Sequence, residues 1–286
     1  MRIGVHVSIA GKIYESLQRA HALGCNTMQI FSRNPRGWSV APLEADDVKE
    51  FLSLKKELDI SPVAIHIPYI INIASPKTAL YKMSIKSYID DLDRANSLGA
   101  EYFVTHMGSH IDTGEGEGIK RFSKALNEIV SATEPKTTIL LETTAGSGSS
   151  LGYTFKQIRD IVDGVKKPER FAVCLDTAHV FAAGYDISTK PGLEQTFEEF
   201  DKYLGLDLIK VVHFNDSKAP LGSRVDRHEH LGKGTIGLAG LKRIITHPRL
   251  KNAAFIMETP KNSEKDDIMN IRTARKMLGL KLPLSG

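Results

Sequence analysis

A length of 286 residues suits one large domain or two small ones, and 41% hydrophobic with 25% charged residues is ordinary for a soluble globular protein with an ample core. The net charge of +4 and a pI near 8.9 are compatible with a polyanionic partner without requiring one. Cys25 and Cys174 each sit in an apolar run, which sets aside a disulfide scaffold and a zinc knuckle, and no apolar run approaches the roughly 20 residues that span a bilayer. The chain starts on a strand-like run with no signal-peptide pattern, so the expectation is a cytoplasmic protein without a membrane partner.

Short apolar runs alternate with longer helix-patterned segments. The pattern predicts strands at Arg2–His6, Thr27–Phe31, Val63–His66, Tyr102–His106, Thr138–Glu142, Phe171–Asp176, Ile209–His213 and Ala253–Glu258. Helices are expected between them, for example at Gly11–Leu23, Asp46–Leu58, Ala79–Leu98, Ile119–Ser131 and Thr154–Val162. Eight such repeats without a break in composition predict an α/β fold, a single (β/α)8 TIM barrel over residues 1–286. A doubly wound open sheet is the alternative. It often carries a glycine-rich phosphate turn after its first strand, whereas Ser8-Ile9-Ala10-Gly11-Lys12 follows here.

In a barrel of this kind the C-terminal strand ends open onto one face, where chemistry is done. The predicted ends are His6, Phe31, His66, His106, Glu142, Asp176, His213 and Glu258. Seven of these eight are His, Asp or Glu, types that make up only 44 of 286 residues, so a structural accident is a poor explanation. Asp176 also reads as a helix N-cap, with His179 on the first turn. In Arg224-Val-Asp-Arg-His-Glu-His230, Asp226 and His228 fall on one side of an extended loop and can chelate one ion. Imidazoles and carboxylates without thiolate suit zinc, with manganese or iron accepted in part. His6 apart, nine such groups exceed what one tetrahedral ion uses, so two or three ions are implied.

The same segments resemble endonuclease IV, the zinc-dependent apurinic/apyrimidinic endonucleases of DNA base-excision repair. The matching stretches include Gly4-Val-His-Val-Ser8, Phe31-Ser-Arg-Asn-Pro-Arg-Gly-Trp38, His66-Ile-Pro-Tyr-Ile70 and Thr105-His-Met-Gly-Ser-His110. They continue through Leu141-Glu-Thr-Thr-Ala-Gly146, Cys174-Leu-Asp-Thr-Ala-His179, His213-Phe-Asn-Asp-Ser-Lys218, Arg224-Val-Asp-Arg-His228 and Met257-Glu-Thr259, covering essentially the whole chain in order. The resemblance implies three zinc ions: His66 and His106 on one, His179, Asp226 and His228 on a second, Asp176, His213 and Glu258 on a third, with Glu142 bridging the first and third. Ser147 departs from the usual glutamine and Met107 from a common proline, and neither is an implied ligand.

The implied reaction is hydrolysis of the phosphodiester 5′ to an abasic site in double-stranded DNA, with 3′-phosphodiesterase trimming as a side activity. Glu142 and Glu258 would be catalytic, the second orienting or deprotonating the nucleophile. Phosphates need cations and a missing base leaves a gap for wedges. The loop Arg33-Asn-Pro-Arg36 offers the cations, and the resemblance assigns Arg36, Tyr69 and Ile70 to insertion into the base stack and nucleotide flipping. A loop arginine is otherwise usually solvated, and Tyr-Ile-Ile after a strand usually packs. His6 is expected to make hydrogen bonds around the centre instead of ligating metal, and His110 to contact phosphate or close its loop. His21, His230 and His247 read as surface or packing residues, Trp38 as a loop brace or core filler, and Lys261–Arg275 as the solvated face of the last helix. A sugar isomerase or epimerase on the same barrel is the nearest rival, but has no evident use for His66, His106, His179, Asp226 and His228 together. A non-catalytic damage binder is the other, and the intact ligand set argues against it. A monomer is expected.

Overall fold

Where the sequence runs apolar for four to six residues the chain forms a strand buried on both faces, as parallel strands covered by helices must be. The computed structural model describes residues 1–133, 136–263 and 265–280. The barrel strands are β1 (Arg2–Val5), β2 (Met28–Phe31), β3 (Val63–His66), β4 (Tyr102–Thr105), β5 (Thr138–Glu142), β6 (Phe171–Asp176) and β7 (Ile209–His213). A two-residue-stranded hairpin, β8 (Asp216–Ser217) and β9 (His228–Glu229), precedes the last of them, β10 (Ala254–Met257). All eight pair in parallel in the order β1-β10-β7-β6-β5-β4-β3-β2. Closure between β1 and β2 is looser: a bridge joins His6 to Gln29, and the Val7 amide donates to the Gln29 carbonyl at 2.7 Å. Gly4 is required at this seam, because a Cβ there would fall 1.8 Å from the Thr27 carbonyl oxygen.

Four predicted strands match their predicted bounds, and His6, His106 and Glu258 lie one residue past the regular ladder. The outer helices are α1 (Glu15–Ala22), α2 (Ala45–Glu57), α3 (Thr78–Ser97), α4 (Glu115–Thr133) and α5 (Phe155–Asp163). The first begins four residues later than expected. Two helices, α6 (Thr177–Ala183) and α7 (Lys190–Tyr203), separate β6 from β7, and α8 (Gly237–Ile245) and α9 (Lys265–Met277) complete the ring. Among the described residues no helix is long and apolar enough to cross a membrane.

Strand alternation sorts the core into two parts. Residues such as Val63, Ile65, Leu141 and Leu175 point outward and pack under the helices. Ala64, Val104, Leu140, Ala172, Cys174, Val211, Ala254 and Ile256 point inward and fill the barrel. Two residues on from Ala64, Val104, Leu140, Cys174, Val211 and Ile256 come His66, His106, Glu142, Asp176, His213 and Glu258. Period two therefore places all six on the inner face, one layer above an apolar plug.

Two buried ionic knots brace the loops at this end. Arg33 is only 5% exposed and donates to both oxygens of Asp91 on α3 at 2.8 Å, and also to Ser87. The Asp216 carboxylate, wholly buried, accepts from the amides of Gly232, Gly234, Ile236, Gly237 and Ser217 at 2.8–3.3 Å. It thereby holds the loop before α8 closed on the hairpin.

Arg33 is thus committed to the fold, while Arg36 on the same loop is exposed. Asp91→Ala is expected to lower the unfolding free energy by about 3–5 kcal/mol, the cost of stranding a buried guanidinium. Arg36→Ala should shift it by less than about 0.5 kcal/mol. Urea denaturation of the two variants measures both, and equal effects would contradict the assignment.

Candidate metal centre

Glu142 stands at the middle of the barrel mouth with no solvent exposure. Its Oε2 lies 3.1 Å from His66 Nε2 and 3.3 Å from His106 Nε2, and its Oε1 lies 3.0 Å from His213 Nδ1 and 3.5 Å from His179 Nδ1. One carboxylate thus addresses two sets of imidazoles. Burial disfavours its ionised form, but the imidazoles of His106, His213 and His66 outweigh that and hold the carboxyl well below the usual range.

Three groups of side chains each bring ligand atoms within 4.8 Å of one another: His66, His106 and Glu142; Asp176, His179 and His228; and Glu142, Asp176, His213 and Glu258. Asp226 sits beside the second, 3.2 Å from His179 Nε2 and 3.7 Å from His228 Nε2. The local backbone explains several placements. Asp176 ends β6 and caps α6, its Oδ1 accepting from the His179 amide at 2.8 Å, which turns His179 back toward the strand end. Both sequence readings of Asp176 therefore hold: one oxygen caps, while Oδ2 lies 3.5 Å from His228 Nε2. His228 arrives on β9, so the hairpin carries a distant loop back over the mouth.

The imidazoles suit a cation. His66 Nδ1, His179 Nδ1 and His228 Nδ1 are paired with the carbonyls of Ile67, Thr143 and Glu258 at 2.7, 2.8 and 3.1 Å. A carbonyl only accepts, so each ring carries a proton on Nδ1 and turns Nε2 inward as the nitrogen an ion would take, the orientation metal-ligating histidines use. The Nε2 atoms of His179 and His228 are buried without any hydrogen-bond partner. A buried ring nitrogen that faces carboxylates without a well-formed hydrogen bond is costly unless an ion completes it.

Charge is concentrated accordingly. Burial pulls the His179 imidazolium down, but Asp176, Asp226 and Glu142 together raise it to about 10. Burial opposes Asp226 ionisation, and His179 and His228 nevertheless bring it to about 2. The thiols are silent: burial pushes Cys25 and Cys174 up to about 12.

A cavity of about 300 Å³ opens above this cluster, with His6, Phe31, Tyr69 and Lys261 on its rim. Tyr69 is 66% exposed and meets the Phe31 ring edge-on at 5.2 Å, whereas Ile70 is half-buried against the core. Arg36 is exposed on the neighbouring loop. Arg33, expected as a second phosphate cation, is turned inward to Asp91 because its loop needs an anchor on α3. His6 touches Glu258 and Gln29 and belongs to none of the three groups. The His110 amide donates to the Ser149 carbonyl at 3.1 Å and the His110 carbonyl accepts from the Thr113 amide at 3.3 Å and hydroxyl at 2.7 Å, closing its loop. Trp38 is partly buried against the core, and His230, itself buried, meets the buried Asn270 side chain at 3.0 Å. Ser147 donates to the Arg224 carbonyl at 2.8 Å, tying its loop to the one that carries Asp226.

Sequence reading missed four residues here. Gln29 contacts His213, Glu258 and His6. Asn215 donates to Asp176 Oδ2 at 2.8 Å and accepts the Glu258 amide at 2.7 Å. Thr143 accepts the Asp176 amide through Oγ1. Lys261, assigned to a solvated helix face, donates to Asp267 at 2.8 Å and to the His6 carbonyl at the cavity rim. Gln29 and Asn215 carry no spacing signal: each is one polar residue, the first within β2 and the second two residues past β7.

A family model described as xylose isomerase-like TIM barrel matches residues 17–279. A probable endonuclease 4 of Nitrosopumilus maritimus is 45% identical over 96% of this chain and 99% of its own. The crystal structure of endonuclease IV from Thermus thermophilus superposes with a TM-score of 0.88 at 36% identity, covering 98% of this chain and 99% of that one. The chain belongs to the endonuclease IV family. As a member it is an enzyme of the nuclease class, and the clusters around Glu142 support the metal dependence of an endonuclease IV. A D-tagatose 3-epimerase-like structure, at 20% identity and a TM-score of 0.73, shares the barrel alone.

A cation entering this centre must displace the proton that its carboxylates hold on His179 up to about pH 10. Metal affinity is therefore expected to rise with pH and to fall on acidification. Calorimetric zinc titration of chelator-stripped protein between about pH 6 and pH 8, in buffers of different ionisation enthalpy, should record net proton release. Buffer-independent heats would contradict it.

Proposed function

We propose that the chain hydrolyses the phosphodiester on the 5′ side of an abasic site in double-stranded DNA, leaving a 3′-hydroxyl and a 5′-deoxyribose phosphate. The observation that carries the reading is the one carboxylate, Glu142, facing two separate sets of ligands at the foot of an open cavity. A one-ion isomerase needs no such bridge.

Zinc is the proposed metal, three ions per chain, with manganese or iron accepted in part. His66 and His106 would hold one, His179, Asp226 and His228 a second, and Asp176, His213 and Glu258 a third, with Glu142 between the first and third. Asp176 also lies among the second group, which supports a compact cluster. Bound zinc supplies Lewis acidity, neutralising charge on the phosphodiester and making water a stronger acid near neutral pH.

The chain's own residues do the rest. Glu258 ends the last barrel strand at the cavity, with one oxygen tied to Gln29 and the other 3.2 Å from His213 Nδ1. It would orient the attacking water and take its proton. Arg36 would pair with a backbone phosphate, and Tyr69 and Ile70 would enter the base stack where the base is missing, so that the sugar turns into the cavity. Tyr69 exposure supports that role. The same centre would trim 3′ ends blocked by a phosphodiester. All proposed ligands come from one chain, in keeping with a monomer, and the two buried free thiols suit a reducing cytoplasm.

A duplex with a single tetrahydrofuran abasic analogue is expected to be cut on the 5′ side, and a chelator should stop the cut. Glu258→Gln should reduce nicking by several orders of magnitude while leaving abasic-duplex binding within a few-fold. Equal nicking by that variant at matched metal content would refute the role of Glu258.

A further inference from the structure

Three of the histidines around Glu142 have their tautomer set by backbone carbonyls, which no substitution removes. His213 differs. Its Nε2 meets a side chain, the Oε1 of Gln29, at 2.8 Å. Gln29 is wholly buried in the middle of β2, two residues before Phe31 and level with Ala64, which lies two residues before His66.

The orientation of this amide follows from what it touches. Gln29 Nε2 lies 2.6 Å from Glu258 Oε1, and an ionised carboxylate can only accept, so the amide NH2 faces Glu258. Its second hydrogen goes to His6 Nδ1 at 3.0 Å. The remaining carbonyl oxygen then accepts from His213 Nε2, which puts the His213 lone pair on Nδ1. That atom lies 3.0 Å from Glu142 Oε1 and 3.2 Å from Glu258 Oε2. One amide thus uses its acceptor and both donors at once, and leaves one nitrogen of His213 and one oxygen of Glu258 free on the same side.

We infer that Gln29 is a positioning residue that selects the His213 nitrogen and the Glu258 oxygen offered to a metal ion. The inference rests on the three-ion reading above. Nothing else among the described residues contacts both side chains from behind with a donor and an acceptor in one group. A hydrocarbon of equal length would let the imidazole turn and the carboxylate swing. A glutamate could still accept from His213 but could not donate to Glu258.

The test titrates metal-free wild type, Gln29→Met, His213→Ala and the double variant with zinc against a chromophoric chelator, alongside circular-dichroism melts of the metal-free proteins. Wild type should show three sites. Gln29→Met should weaken one of them by about 10- to 100-fold and leave the other two within about two-fold, with an unchanged metal-free fold. On the His213→Ala background the same substitution should cost clearly less than it does in wild type, only the Glu258 contact being left to lose, because the two act on one site. If Gln29→Met fails to fold, Gln29→Glu is measured in its place, with the same selective weakening expected. Unchanged affinities, equal weakening of all three sites, or an additive loss on His213→Ala would each overturn the role of Gln29. A wild-type protein without a third site would instead overturn the zinc reading, and that failure is read from wild type alone.

Discussion

A carboxylate shut away from water stays charged only where its neighbours supply opposite charge, and Glu142 meets that condition on both of its oxygens. Every other part of the centre depends on this. The imidazoles come from different strands, β3, β7 and the turn after β4, so no single segment could assemble them. They share one layer because each strand of a barrel shows alternate residues to the inside, and each has an apolar residue two positions earlier that fixes its height. The concentration of charge is tolerated because the plug below is dry and the outer face is held by helices.

Precision in such a centre comes from what stands behind the ligands. Carbonyls of Ile67, Thr143 and Glu258 settle three rings, and the amides of Gln29 and Asn215 settle His213, Glu258 and Asp176. The Arg33–Asp91 pair does similar work one shell further out, by pinning the base of the loop whose tip carries the exposed Arg36. Rigid roots with free tips are what a surface that must meet a deformable polymer needs.

Much of this was legible in the chain itself. Parallel strands covered on both faces read as unbroken apolar runs, and a titratable residue closing such a run is conspicuous, so His66, Glu142, Asp176 and His213 stand out at once. Asp226 and His228 close no strand and were legible only as a two-residue spacing in an extended loop; the resemblance to endonuclease IV grouped them with His179. Helix starts and the α6–α7 division were less visible, because Gly184 ends α6 by a local turn that hydrophobic spacing does not register. Arg33 and Arg36 are chemically alike and three residues apart; only the partner on α3 tells them apart. Gln29 is silent in sequence for a similar reason: a lone amide in a strand has no spacing pattern, and its three partners lie 23, 184 and 229 residues away.

The segment Gly232-Lys-Gly-Thr-Ile-Gly237 has the look of a loop made to cradle a phosphate, with its amides converging near the start of α8. Asp216 already occupies that nest. The protein has in effect supplied its own permanent anion, so free nucleotides and inorganic phosphate find no vacancy behind the hairpin.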